Sequence, residues 1–158
     1  MSNELVVTPL FREPLKLALA KDHRLAKKEC INHRDLYAEP VLTIGENHLF
    51  NRQITELCER VGAVVRRDYE GTSLDTLRQM VVMGMGVAFL PALYAMSEIR
   101  DEQELRVADV DGIKMVRNHA LVWRNTSPSR KFYKELAREM KWIIETTLAD
   151  SILPAAEK

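Results

Sequence analysis

Strand-type and helix-type runs alternate along the chain. In "PLKLALA", residues 14–20, the apolar residues Leu15, Leu17 and Leu19 recur every second position, the period of a half-buried strand. "NHRDLYAE" then predicts a short helix that stops before Pro40, because the residue preceding a proline is pushed out of the helical region. "PVLTI" is a compact apolar run suited to a buried strand, and "GENH" breaks it. From Phe50 the period changes: Phe50, Ile54, Leu57 and Val61 are spaced by four, three and four, which puts them on one helical face that ends at Gly62.

"AVVRRDY" predicts the next strand, and "GTSLDTLRQMVVMGMG" a second helix with Leu74, Leu77 and Val81 on one stripe and Gly84 or Gly86 as its stop. "VAFLPAL" reads as another buried strand and "HALVWRN" as a later one. Residues 127–148 predict a long final helix. Between them, residues 97–118 are charged and weakly periodic, which predicts a loop with one short strand around "LRVADV". Strand, helix, strand, helix in this order predicts an α/β sheet with helical crossovers.

The final helix carries Phe132, Leu136, Met140, Ile143 and Thr147 in one line, flanked by Tyr133, Ala137 and Ile144. So broad an apolar face is either packed on the sheet or covered by a partner.

Composition narrows the class. The 158 residues suffice for one ordinary domain or two small lobes, with 46% hydrophobic and 29% charged positions. Twenty-three basic residues balance twenty-three acidic ones, so no global positive field draws the chain to nucleic acid. Two cysteines and no charged-then-apolar leader fit a cytoplasmic location, and no apolar run approaches the roughly 20 residues of a membrane helix.

Two places share one chemical design. In "TIGENHLF" and "YEGTSLDTL" a strand gives way through glycine to polar residues and then to a helix. The first amides of a helix lack internal partners and carry the positive end of its dipole, so anions and polar groups bind there. Thr43, Gly45, Asn47 and His48 at one site, and Thr72 and Ser73 at the other, are the candidate effector-binding residues. The hydroxyl of Thr72 or Ser73 serves equally as a helix cap, and His48 equally as an exposed loop residue.

The four histidines are scattered and neither cysteine has a partner at metal-site spacing, so neither a metal nor a cofactor is expected. No nucleophile elbow, Walker loop or GxGxxG occurs. Cys58 lies on the edge of an apolar helical face, where a thiol keeps a raised pKa and stays inert.

The stretches "VTPLFREPLKLALAKDHRLAKKEC", "GENHLFNRQITELCERVGA", "GTSLDTLRQMVVMGMGVAFLPAL" and "ALVWRNTSPSRKFYKELA" resemble, in order and over roughly residues 6–140, the effector-binding domain of LysR-type transcriptional regulators, most of all the OxyR hydrogen-peroxide sensor group. The resemblance implies a fold similar to type II periplasmic binding proteins, with Rossmann-like lobes, two crossing strands and an effector cleft. It assigns residues 1–118 mainly to the second lobe, including a crossing strand near 6–20, and residues 119–158 to a return strand and helix of the first lobe.

A winged helix-turn-helix has no counterpart in these residues, so DNA contact belongs to a segment outside them. The resemblance also implies a homodimer or homotetramer, a small polar or anionic effector and a role in the oxidative stress response, with no enzymatic activity and no membrane contact. OxyR sensors carry a peroxide-reactive cysteine directly after the histidine, where this chain has Leu49; Cys58 matches the resolving position and is the remaining redox-responsive candidate. Two other classes stay open: a stand-alone small-molecule binding protein of periplasmic type, and an enzyme with Cys58 as nucleophile and His48 as base.

Overall fold

The computed structural model describes residues 4–46, 48–100 and 104–156, and the chain divides into two compact units, residues 15–114 and residues 1–14 with 115–158. One strand, β1 (Leu5–Ala20), contributes its first part to the smaller unit and its last part to the larger. The period-two reading of residues 14–20 captured only its end. Leu17 and Leu19 are fully buried as expected of one face, but Ala18 and Ala20 on the other face are buried too, so this end of β1 is covered on both sides.

In the larger unit the chain continues through two one-turn 3-10 helices, Arg24–Lys27 and His33–Leu36, with β2 (Ile31–Asn32) between them. Then come β3 (Pro40–Ile44), α1 (Leu49–Val61), β4 (Val64–Gly71), α2 (Leu74–Val82), β5 (Val87–Pro91) and α3 (Ala92–Glu98). Last come β6 (Leu105–Ala108) and β7 (Val110–Asp111). The main sheet has the order β4-β3-β5-β1-β6, with β3 parallel to both β4 and β5, and β1 antiparallel to β5 and β6.

Parallel neighbours force a crossover, and the two helices predicted by their periodicity supply it. Under α2, Leu77, Met80 and Val81 pack with Leu42, Ala88, Leu90, Ala18 and Leu105 into one core cluster. The buried face of α1, formed by Phe50, Ile54, Leu57 and Cys58, lies outside that cluster. Of the parallel strands, β3 and β5 are buried on both faces and read as continuous apolar runs for that reason, whereas β4 at the edge is largely exposed.

Two expectations for this unit need correction and one is refined. The run "VAFLPAL" is strand only to Pro91: the proline has no N–H for a sheet ladder, and Ala92 opens α3 instead. The short helix expected in "NHRDLYAE" is a single 3-10 turn, His33–Leu36, capped by Asn32 and Asp35. The strand around "LRVADV" is two strands, and β7 leaves the main sheet to pair in parallel with β2.

Two glycines are required by space. Gly62 ends α1 at φ 73°, and a Cβ there would meet the Tyr37 ring at 2.7 Å. At Gly86 a Cβ would lie 2.7 Å from the carbonyl oxygen of Pro40, so β5 can approach β3 only without a side chain.

In the smaller unit, β1 pairs with β8 (Val116–Arg124) and β9 (Leu153–Pro154), both antiparallel. The register slips between Pro9 and Phe11, next to a proline that cannot donate to the ladder. The buried Glu13 carboxylate meets His119 Nε2 at 2.7 Å, and the His119 ring stacks on Phe11.

The final helix, α4 (Arg130–Thr147), starts later than the 127–148 expected. It packs on β8 but buries only Ala137 fully, leaving Phe132, Trp142 and Ile143 about half exposed or more. Its broad apolar face is thus only partly covered by the described residues.

The packing makes two mutational predictions. Leu77→Ala removes a fully buried side chain from the α2 cluster and is expected to cost about 2–5 kcal/mol in urea unfolding, whereas Val64→Ala on the exposed side of β4 is expected to cost well under about 1.5 kcal/mol. Gly86→Ala should destabilise by about 1–3 kcal/mol through the forced separation of β3 and β5, read in the same experiment.

Candidate functional site

The parallel register of β3 and β4 pairs Thr43 with Glu70 and Ile44 with Gly71, so the two glycine turns identified in the sequence leave the sheet side by side at its carboxyl edge. A further backbone bond, Gly45 N–H to Gly71 O at 3.3 Å, extends the pairing past the end of β3. The first turn of α1 is tied to the same edge: the Asn51 side-chain amide donates to Ile44 O at 2.7 Å, and His48 N–H donates to Gly45 O at 3.2 Å. Both helix N-termini therefore open beside the ends of adjacent strands.

At α2 the cap is Ser73, whose Oγ accepts from Thr76 N–H at 3.2 Å. Thr76 Oγ1 is shared with both Thr72 and Ser73, at 3.3 and 3.1 Å. Asp75 in the first turn accepts from the Tyr94 hydroxyl at 2.6 Å, and burial, followed by that bond, pushes the phenol up to about 12. The tyrosine is a neutral donor at any physiological pH.

At α1 the N-cap is His48, in extended conformation and exposed, with no side-chain capping bond. Thr43 differs from the others. It is 1% exposed, and its Oγ1 has no hydrogen-bond partner among the described residues. A sealed, unpaired hydroxyl of this kind costs about 1–3 kcal/mol.

Five of the six candidate effector-binding residues are described, and they lie at one end of the sheet. Thr43, Gly45, His48, Thr72 and Ser73 share one sheet edge, with Thr43 beneath it and His48, Thr72 and Ser73 at the surface. Asn47 lies outside the described residues. One feature had no signal in the sequence: a hollow of about 370 Å³ beside the first turns of α1, bordered by Arg52, Arg67, Glu56 and Glu70. Its walls come from two elements whose contact only the fold determines.

Cys58 lies apart from that edge, in the third turn of α1 and 1% exposed. Burial, followed by the charge of Glu59, pushes its thiol up to about 12. Leu49 is the first residue of α1 and largely exposed. Positions 49 and 58 are separated by roughly 13 Å of helix axis at about 1.5 Å per residue, against the roughly 4.4–6.8 Å that a disulfide spans between Cα atoms. His48 is farther still from Cys58, so the two do not form a nucleophile and base pair.

Cys30 is exposed and its Sγ donates to Asp111 Oδ2 at 2.8 Å. That bond, more than any other cause, raises its pKa. Both cysteines are free thiols. No cluster of three His, Cys, Asp or Glu side chains suited to a metal occurs among the described residues, and no helix among them is long and apolar enough to cross a membrane.

Parallel strands with two helices opening at one carboxyl edge define an α/β domain of the kind that presents ligand sites beyond its strand ends. The pattern of the LysR substrate binding domain matches residues 1–141, and the chain belongs to this family. It is 34% identical over 140 residues to the DNA-binding transcriptional dual regulator OxyR of Escherichia coli K12, covering 89% of this chain and 46% of the relative.

The hydrogen peroxide-inducible genes activator of Pectobacterium carotovorum is 36% identical over 136 residues, covering 86% of this chain and 45% of the relative. The crystal structure of the reduced form of OxyR superposes with a TM-score of 0.77 at 31% identity, covering 90% of this chain and 66% of that one. The chain spans about half the length of the curated relatives it matches. Its fold is the type II periplasmic-binding-protein-like α/β fold of these regulatory domains, as the sequence led us to expect.

The thiol environments make a prediction for alkylation. With a pKa near 12, Cys58 is thiolate in only about one molecule in ten thousand at pH 8, so iodoacetamide should label Cys30 alone in the folded protein and both cysteines in urea. Asp111→Ala removes both the acceptor and the charge that hold the Cys30 thiol protonated, and should speed its labelling at the same pH.

Proposed function

We propose that this chain is the effector-sensing part of a LysR-type, OxyR-like transcriptional regulator that responds to a small polar or anionic ligand and not to an internal disulfide. The supporting observation is the carboxyl edge of β3 and β4, where two helix N-termini, the Ser73 cap and the sealed, unpaired Thr43 hydroxyl share one end of the sheet. Unsatisfied helix amides attract negative charge, and the orphan hydroxyl supplies a directional partner for a ligand oxygen or nitrogen.

The redox alternative needs two thiols, or one thiol that peroxide can reach. Leu49 occupies the position that the resemblance gives to the reactive cysteine, and leucine forms no sulfenic acid. Cys58 is buried and protonated in the folded helix, which removes both conditions for rapid oxidation. In the reading proposed here a bound ligand supplies the signal, and a homodimer or homotetramer carries it to a winged helix-turn-helix that these residues do not include.

Thermal-shift measurements with a panel of small carboxylates and inorganic anions test this reading. At least one anion is expected to raise the melting temperature, with Thr43→Val and Ser73→Ala each abolishing most of the shift. No stabilisation by any anion, combined with peroxide-dependent modification of Cys58 by mass spectrometry, would reverse the assignment in favour of redox sensing.

A further inference from the structure

The smaller unit holds a groove of about 440 Å³ that is independent of the β3 and β4 edge. Its floor is Trp123 of β8 and Ala137 of α4, one wall is Thr8 and Pro9 of β1, and the other is the tail at Ala155 and Ala156. Three cations of α4, Lys134, Arg138 and Lys141, stand along its rim at spacings of four and three, which places them on one helical stripe.

Among the described residues, no acidic side chain lines the groove. Glu135 pairs with Arg138 and Glu145 lies 4.0 Å from Lys141, so two of the three charges are partly neutralised from outside. Lys134 forms no ion pair or side-chain hydrogen bond among the described residues.

Trp123 adds a directional requirement. The residue is 6% exposed, and its Nε1–H is sealed from solvent with no acceptor among the described residues. Indole N–H groups in protein interiors are nearly always bonded. The adjacent tail is anchored to β1 by β9 and by the Arg12 Nε bond to Pro154 O at 2.8 Å, whereas Ala155 and Ala156 beyond it belong to no strand.

We propose that this groove is a second ligand site, one that takes a small apolar carboxylate, its ring or alkyl part on Trp123 and Ala137 and its charge among Lys134, Arg138 and Lys141. An apolar floor with a few convergent polar groups is the usual composition of a small-molecule pocket, and a volume of a few hundred Å³ suits a single-ring acid. The rim is exposed, so the charge acts by screened attraction and the apolar floor supplies the rest of the affinity.

The test uses the 158-residue chain with Trp142→Phe, which leaves Trp123 as its one tryptophan. Cyclohexanecarboxylate and its neutral analogue cyclohexanecarboxamide, both transparent at the emission wavelengths, are titrated while Trp123 fluorescence is followed. The carboxylate is expected to change the emission saturably and to bind about tenfold more tightly than the amide, an advantage that shrinks as salt is added.

Lys134→Glu with Lys141→Glu is expected to erase that advantage, and Lys134→Met, a milder change, to reduce it, with circular dichroism of each variant matching the parent. Equal binding of acid and amide, an acid preference that survives the charge reversal, or a Trp123 emission that responds to neither compound would each overturn the proposal.

Discussion

The arrangement depends on the parallel pairing of β3 with β4 and β5. Parallel neighbours cannot be joined by a tight turn, so α1 and α2 must cross over the sheet, and each must begin where its preceding strand ends. That single constraint places both helix N-termini and both glycine turns at one carboxyl edge. It also buries β3 and β5 on both faces, which is why Thr43 has its hydroxyl sealed in the sheet when the residues after it are at the surface. Gly86 keeps the strand spacing that this needs, with no room for a side chain against Pro40.

The same burial settles the chemistry available to Cys58. Phe50, Ile54, Leu57 and Cys58 form the inward face of α1, and a thiol among them is held protonated by loss of solvation. Unwinding the helix would expose the thiol, but it would also take Phe50, Ile54 and Leu57 out of the core. In a chain with Leu49 at the helix start, no new covalent bond between positions 49 and 58 compensates for that loss. Ligand sensing at the sheet edge needs no such rearrangement, which is the physical reason for preferring it.

How much of this was legible in the sequence varied with the length and independence of each element. The three-and-four spacing of Phe50, Ile54, Leu57 and Val61, and the stripe through Leu77 and Val81, located α1 and α2 because each buries one face over two or more turns. The one-turn and two-residue elements, such as the 3-10 turn at 33–36 and the β2 and β7 pair, carry too few residues for a period to show. At α3 the signal was misleading, since Pro91 and small Ala92 follow an apolar run that continues past the end of the strand. The site followed the same pattern: the helix openings and Ser73 were visible as turn chemistry, whereas the burial of Thr43, the hollow by Arg52 and Arg67, and the groove at Trp123 arise from elements brought together only in the fold.

Amide hydrogen exchange across residues 49–61, measured before and after peroxide treatment, addresses the central claim most directly, because a thiol switch through Cys58 requires α1 to open and a ligand switch at its N-terminus does not. The account predicts that α1 keeps the same protection in both samples. Loss of protection along the whole helix after peroxide, with both samples otherwise folded, would contradict it.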